Sequence, residues 1–177
     1  LCLSFSQVVY ANTALPKVKA KGAVLIEQDS GRVLYEQNAY APLPMASTTK
    51  IMTAIIVVEK GNLDEITKVS KNASLTEGSS MNLKTGEEIS VNDLLYGLLI
   101  KSGNDAAVAL AEAVSGSVEE FCKLMNNKAK ELDMKNTHFE NVTGLDDDVS
   151  NHLTSAKDIA IMSRELITKH PDILKYT

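Results

Sequence analysis

The chain has 177 residues, of which 44% are hydrophobic and 23% are charged, and its formal net charge is −5. This composition is ordinary for a globular protein and excludes a disordered or collagen-like chain. The negative charge argues against a nucleic-acid partner, which would need a concentration of Lys and Arg. No apolar run approaches the roughly 20 residues that span a bilayer, which excludes an integral membrane protein for these residues.

The first eleven residues, 1–11, form an apolar stretch that is typical of the end of a signal-peptide hydrophobic region. The chain does not begin with Met, and Val9, Tyr10 and Ala11 make an acceptable cleavage site. We therefore predict that these residues are the remnant of an export signal. The alternative is a short strand or helix start, because the basic segment of a signal peptide is absent.

A β-hairpin and a helix are predicted next. Short apolar runs at residues 23–26 and 32–35 flank a turn that contains Gly31, which is the pattern of a hairpin. A helix is predicted over residues 48–60, with Ser47 as its N-cap and Gly61 just past its end.

The rest of the chain is predicted to be mostly helical. Ser90 and Ser117 each begin a capping-box pattern, and Pro171 follows the last periodic segment. The predicted helices cover residues 93–101, 105–114, 117–132 and 155–169. We therefore divide the chain into the signal remnant and one partial domain, residues 12–177, with the hairpin and Ser47 helix in 21–61 and a helical body in 62–170.

Two strands alone are only marginally stable, so this hairpin needs further strands or helices to cover it. We predict an α+β fold with an antiparallel sheet and a mostly helical body. The sheet looks incomplete within these residues, and we expect its other strands to follow Thr177 in a longer parent chain.

Most familiar catalytic patterns are missing. The three histidines, His138, His152 and His170, form no HExxH motif, and no cysteine pair is spaced for zinc. The chain also lacks the G-x-S-x-G nucleophile elbow and the glycine patterns of nucleotide-binding loops. These absences argue against a zinc site, a nucleophile-elbow hydrolase and a nucleotide-binding loop.

What remains is the Ser-x-x-Lys sequence formed by Ser47 and Lys50. On a helix this spacing places the hydroxyl and the amine on one face, one turn apart. A lysine whose pKa is lowered could take the serine proton and let the oxygen attack a carbonyl. The spacing alone is weak evidence, because 15 serines and 16 lysines give roughly one such pair by chance. A capping serine followed by a solvated lysine is the alternative.

The surrounding sequence is much more specific. Residues 44–54 closely resemble the nucleophile segment of the D-alanyl-D-alanine carboxypeptidases, the low-molecular-mass penicillin-binding proteins. Residues 94–107 are similar to the second motif of that family, and the resemblance continues through 136–139 and 143–146 to His152 and Asp158. It covers nearly all of the chain from Lys21 onward and implies the β-lactamase/transpeptidase-like fold.

The resemblance implies a role for each matching residue. Ser47 would be the acylated nucleophile and Lys50 the general base. Among four Ser-x-Asn sequences, beginning at Ser70, Ser80, Ser90 and Ser102, it selects the last. Ser102 would relay protons between Lys50 and the leaving group, and Asn104 would hydrogen-bond Lys50 and the substrate backbone.

The third motif of the family, Lys-Thr-Gly, follows the other two, whereas the literal match here, Lys84-Thr85-Gly86, precedes the second. We interpret Lys84 as a residue of a solvated turn. The cation that would receive the substrate carboxylate is then absent from these 177 residues, and we expect them to be nearly inactive alone.

The resemblance implies a serine-type carboxypeptidase that removes the terminal D-alanine from peptidoglycan pentapeptide stems and is acylated by β-lactams. The resemblance implies no metal or organic cofactor. It also implies an extracytoplasmic location and allows a membrane anchor outside these residues. Two alternatives are a class A β-lactamase and a non-catalytic peptidoglycan-binding protein. The first usually has Asp where Gly103 stands and a later Glu-x-x-Leu-Asn, which this chain lacks. The non-catalytic alternative is favoured by the absence of the third motif from these residues.

Overall fold

The computed structural model describes residues 17–145 and 149–176; the predicted signal remnant, residues 1–11, lies outside the described residues. The predicted hairpin is confirmed, since β1 (Ala23–Ile26) pairs antiparallel with β2 (Val33–Gln37). In the described part of the chain this sheet has two strands. The Arg164 guanidinium donates to two carbonyl groups of the hairpin turn.

The helix that carries the Ser-x-x-Lys sequence is α1 (Thr49–Lys60), and it ends at Gly61 as predicted. The prediction that Ser47 caps it is wrong, because Ser47 lies in a 3₁₀ turn, Ala46–Thr48, just before α1. The hydroxyls of Thr48 and Thr49 bond back to carbonyls at Met45 and Ala46 and tighten this turn. The Ser47 hydroxyl therefore contacts Lys50 instead of a helix N–H.

The helical body consists of α2 (Lys71–Ser74), α3 (Val91–Ile100), α4 (Asn104–Ser115), α5 (Val118–Glu131) and α6 (Ala156–Lys169). Both predicted serine N-caps are confirmed. Ser90 Oγ accepts from the Asp93 N–H at 3.0 Å, and Ser117 Oγ accepts from the Glu120 N–H at 3.2 Å. A last 3₁₀ turn, Pro171–Tyr176, follows α6.

Two small strand pairs were not predicted, and three of their four strands lie within the body that we predicted as helical, residues 62–170. β3 (Leu43–Pro44) pairs with β6 (Leu153–Thr154), and β4 (Ile66–Lys68) pairs with β5 (Glu88–Ser90), both antiparallel. Each strand has only two or three residues, too few for a period of two to be visible in the sequence. The α+β class with antiparallel strands is confirmed.

The core lies between α1 and α4, and this packing positions the candidate site. Met52 and Ile55 of α1 and Ala106 and Ala107 of α4 are fully buried. The small alanine side chains let α4 approach α1, α2, α3 and α5 closely. The N-terminal ends of α1 and α4 therefore lie next to each other.

Candidate active site

Lys50 is the centre of the site. Its side chain is 3% exposed, and its Nζ lies 2.7 Å from Asn104 Oδ1 and 2.7 Å from the Thr143 carbonyl oxygen. The third neighbour of Nζ is Ser47 Oγ, at 3.4 Å. The predicted approach of Ser47 to Lys50 is therefore confirmed, and so is the predicted hydrogen bond between Lys50 and Asn104.

Burial lowers the pKa of Lys50 from 10.5 to about 8, because the amine has lost water that would stabilise its charged form. Among the ion pairs of the described residues, none involves this lysine. Its two close neighbours are neutral oxygen acceptors rather than carboxylates. The neutral form that a general base requires is then far more populated near neutral pH than in a free lysine, although the ammonium form still predominates at pH 7.

Asn104 is the first residue of α4 and is 3% exposed. Its Nδ2 donates to the Glu77 carbonyl at 2.7 Å, which leaves Oδ1 directed at Lys50. Gly78 (φ 88°) passes so close that a Cβ there would lie 2.6 Å from Asn104 Nδ2. The amide orientation is thus set by a second loop, which sequence reasoning missed.

That second loop is held by Asp105. Its carboxylate accepts from Ser80 Oγ and from the N–H groups of Met81, Leu83 and Ala106. Burial by itself would raise the pKa of Asp105, but these hydrogen bonds stabilise the carboxylate and lower its pKa overall. Asp105 therefore fixes the loop that positions the Asn104 amide.

Ser102 is placed differently from Ser47 and Asn104. Its Oγ is buried and has no hydrogen-bond partner within the described residues, so it makes no hydrogen bond to Lys50. Its backbone is in the left-handed region, with φ 53°, a conformation that is uncommon for serine and is often found at functional sites. The predicted relay role of Ser102 stays a prediction.

Thr143 is a site residue to which we gave no role. Its carbonyl is held toward Lys50 by a turn in which Asn141 Oδ1 accepts from the N–H groups of Thr143 and Gly144. Gly144 has φ 89°, and a Cβ there would lie 1.9 Å from the Ala46 carbonyl oxygen. The only trace of this contact in the sequence is the Thr-Gly pair, because a backbone carbonyl leaves no residue-type pattern.

Lys84 is exposed and lies in a turn closed by a hydrogen bond from the Glu87 N–H to its carbonyl. The interpretation as a solvated turn residue is confirmed, while its distance from Ser47 stays a prediction. Over residues 17–145 and 149–176, no three His, Cys, Asp or Glu side chains group to hold a metal. No helix in the described part of the chain is long and apolar enough to cross a bilayer.

Residues 9–177 match a peptidase family described as D-alanyl-D-alanine carboxypeptidase. The chain is 50% identical over 164 residues to D-alanyl-D-alanine carboxypeptidase DacF of Bacillus subtilis, a match that covers 90% of this chain and 41% of that protein. It is 42% identical over 168 residues to DacC of Escherichia coli, with 89% and 42% covered. The chain thus spans less than half the length of the curated relatives it matches.

Solved structures agree with this similarity. The crystal structure of the carboxypeptidase DacD from Francisella tularensis superposes with a TM-score of 0.91 at 35% identity, over 97% of this chain and 42% of that one. A penicillin-binding protein of Listeria monocytogenes in its ampicillin-bound form has a TM-score of 0.81 at 34% identity, over 93% of this chain and 68% of that one. The predicted fold of penicillin-binding proteins is confirmed.

Proposed function

Because the chain belongs to the D-alanyl-D-alanine carboxypeptidase family, we propose that it carries the acyl-transfer centre of a serine-type D-alanyl-D-alanine carboxypeptidase. Ser47 is the nucleophile, and Lys50 is the general base. The single observation that carries the proposal is the arrangement of three oxygen atoms around Lys50 Nζ.

A neutral amine has two N–H groups and one lone pair. In this site the two N–H groups are occupied by the close acceptors, Asn104 Oδ1 and the Thr143 carbonyl, each at 2.7 Å. The lone pair is then left to face Ser47 Oγ, at 3.4 Å. Ser47 can donate its proton into that lone pair, which is the geometry of a base poised beside its nucleophile.

The reaction follows from this geometry. Ser47 Oγ attacks the substrate carbonyl carbon while its proton passes to Lys50 Nζ. As the C–N bond breaks, the proton passes to the amine of the departing D-alanine, and an ester to Ser47 remains. Water then hydrolyses the ester, with the lysine taking and returning a proton in the same way.

We also propose that Ser102 carries the proton from Lys50 to the leaving amine. Its Oγ is buried, has no hydrogen-bond partner within the described residues, and belongs to the segment that leads directly into Asn104. A hydroxyl can accept and donate at once, so it suits a relay that forms when substrate enters. The left-handed backbone at Ser102 is consistent with strain kept for function.

The proposed substrate is the terminal D-alanyl-D-alanine of peptidoglycan stem peptides, and the proposed location is outside the cytoplasmic membrane, where peptidoglycan lies. The ampicillin-bound Listeria neighbour supports β-lactams as covalent inhibitors at Ser47. The export signal at residues 1–11 and a membrane anchor stay predictions.

Labelling with a fluorescent penicillin tests the proposal. The protein as its gene encodes it should form a covalent adduct that mass spectrometry places on Ser47, and it should release D-alanine from a peptide that ends in D-alanyl-D-alanine. Ser47→Ala should abolish both. Lys50→Arg keeps the positive charge, but a guanidinium cannot act as a base near neutral pH. It should slow acylation and D-alanine release by about 10²-fold or more.

The Ser-x-Asn serines provide a matched control. Ser102→Ala should slow acylation, whereas Ser90→Ala removes only the α3 cap and should leave the acylation rate unchanged. An adduct that persists in Ser47→Ala would contradict the proposal. Rapid turnover of penicillin would point to the β-lactamase alternative. Complete absence of an adduct in the unaltered protein would point to a non-catalytic binding protein.

A further inference from the structure

His152 lies at the start of α1, close to the turn that carries Ser47, and is 3% exposed. Its Nε2 is 2.8 Å from Thr49 Oγ1, although 103 residues separate the two in the sequence. Its Nδ1 accepts a hydrogen bond from the Glu140 N–H at 3.0 Å. The pairing of β3 with β6 brings the segment that contains His152 to the start of α1.

The hydrogen bonds determine which imidazole nitrogen carries the proton. A backbone N–H can only donate, so Nδ1 must be the unprotonated nitrogen. The Thr49 hydroxyl donates its one proton to the Ala46 carbonyl at 2.8 Å, so it can only accept from His152. Both ends of the ring therefore require the same neutral form, with the proton on Nε2.

The chain of bonds ends at the backbone that carries Ser47. Ala46 has φ 45°, an unfavourable conformation for a residue with a Cβ. Its carbonyl accepts the Thr49 hydroxyl on one side and packs tightly against Gly144 on the other. The strained turn is thus held in place by partners that the local sequence does not supply.

We propose that His152 is a positioning residue for the nucleophile: its neutral imidazole donates to Thr49, which in turn holds the Ala46 carbonyl and so fixes the direction of Ser47 Oγ. The inference rests on the proposed function, because it concerns the rate at which Ser47 is acylated. His152 acts in this proposal through Thr49 and the Ala46 carbonyl, and it takes no part in the transfer of the proton from Ser47 to Lys50.

Two substitutions separate this role from simple anchoring of the loop at Glu140. His152→Asn retains an acceptor near Nδ1, and so can keep the Glu140 bond, but it cannot reach Thr49. His152→Gln extends an amide donor to the position of Nε2, and so can keep the Thr49 bond. The positioning role requires the second variant, and not the first, to preserve acylation.

The experiment measures the second-order rate constant for acylation by fluorescent penicillin, with thermal unfolding as the control for folding. His152→Asn should lose about 10- to 100-fold, because small displacements of reacting groups cost that much, and His152→Gln should stay within a few-fold of the unaltered protein. Thr49→Val should match His152→Asn, and Thr49→Ser should restore the rate.

The double variant Thr49→Val/His152→Asn should be no slower than either single variant, since both break the same chain of bonds. Unimpaired acylation in His152→Asn, or additive losses in the double variant, would overturn the inference alone. Failure of the unaltered protein to form any adduct would overturn the proposed function and this inference with it. If His152→Asn does not fold, the acylation rate of Thr49→Val still tests the inference, and an unimpaired rate would overturn it. Imidazole ¹⁵N NMR is an independent test, and a proton found on Nδ1 of His152 would refute the inference.

Discussion

Replacing Asn104 by Asp would place a carboxylate where a neutral amide oxygen now lies 2.7 Å from Lys50 Nζ. The change is nearly isosteric; it removes the donor to the Glu77 carbonyl and adds a negative charge beside Lys50. A negative charge at this position stabilises the ammonium form of Lys50 and raises its pKa from about 8. The base would then be protonated, and inactive, over most of the physiological range.

The size of the effect follows from the geometry. Two unit charges 4 Å apart attract by about 4 kcal/mol at an effective dielectric constant of about 20, and 1.36 kcal/mol corresponds to about one pH unit. The attraction alone would displace the titration by about 3 pH units. Burying a second charge opposes part of this, so we expect a displacement of about 2 pH units.

The assay is the acylation rate by penicillin as a function of pH, from about pH 6 to about pH 10.5, corrected for hydrolysis of the antibiotic by buffer. In the unaltered protein the rate should rise as pH increases through about 8 and then level off, because the deprotonated lysine is the active form. In Asn104→Asp the rise should begin about 2 pH units higher, and the rate near pH 7.5 should fall about 10²-fold.

Asn104→Leu is the matched control, because like Asn104→Asp it loses the hydrogen bond to the Glu77 carbonyl, but it adds no charge beside Lys50. It should slow acylation at every pH without an alkaline displacement of the profile. A profile for Asn104→Asp whose midpoint stays near that of the unaltered protein would refute the reasoning, since Lys50 would then not be the titrating base.

Two further substitutions test other parts of the site. Lys84→Ala should leave penicillin acylation unchanged, and a loss of acylation would mean that this early Lys-Thr-Gly sequence belongs to the active site after all. Gly144→Ala should lower the free energy of unfolding by roughly 2 kcal/mol or more and slow acylation, because its Cβ would meet the Ala46 carbonyl at 1.9 Å. Gly86→Ala is its control, because φ is also positive there, at 83°, but the nearest atom to the added Cβ would be a lysine carbon at 3.6 Å. Calorimetry should therefore show a smaller loss of stability, and penicillin labelling should show no loss of acylation.

The sequence determined the features that depend on neighbours within about one turn of helix. The caps at Ser90 and Ser117 and the end of α1 at Gly61 are all where local patterns predict them. The Ser47–Lys50 contact has the same origin, because a three-residue spacing near a helix start brings the two side chains together in almost any fold. The resemblance to a family then selected Asn104 from four equivalent Ser-x-Asn patterns.

Only the tertiary structure decided the chemical character of these groups. Lys50 has a lowered pKa because α1 is buried against α4, which no local pattern states. Its partners Asn104 and Thr143 are 54 and 93 residues away in the sequence, and Thr143 acts through a carbonyl that every residue type has. The two-residue β3–β6 pair that brings His152 to Thr49 is likewise too short to leave a periodic trace. Spacing can place a serine beside a lysine, but removing water from that lysine requires the packed core.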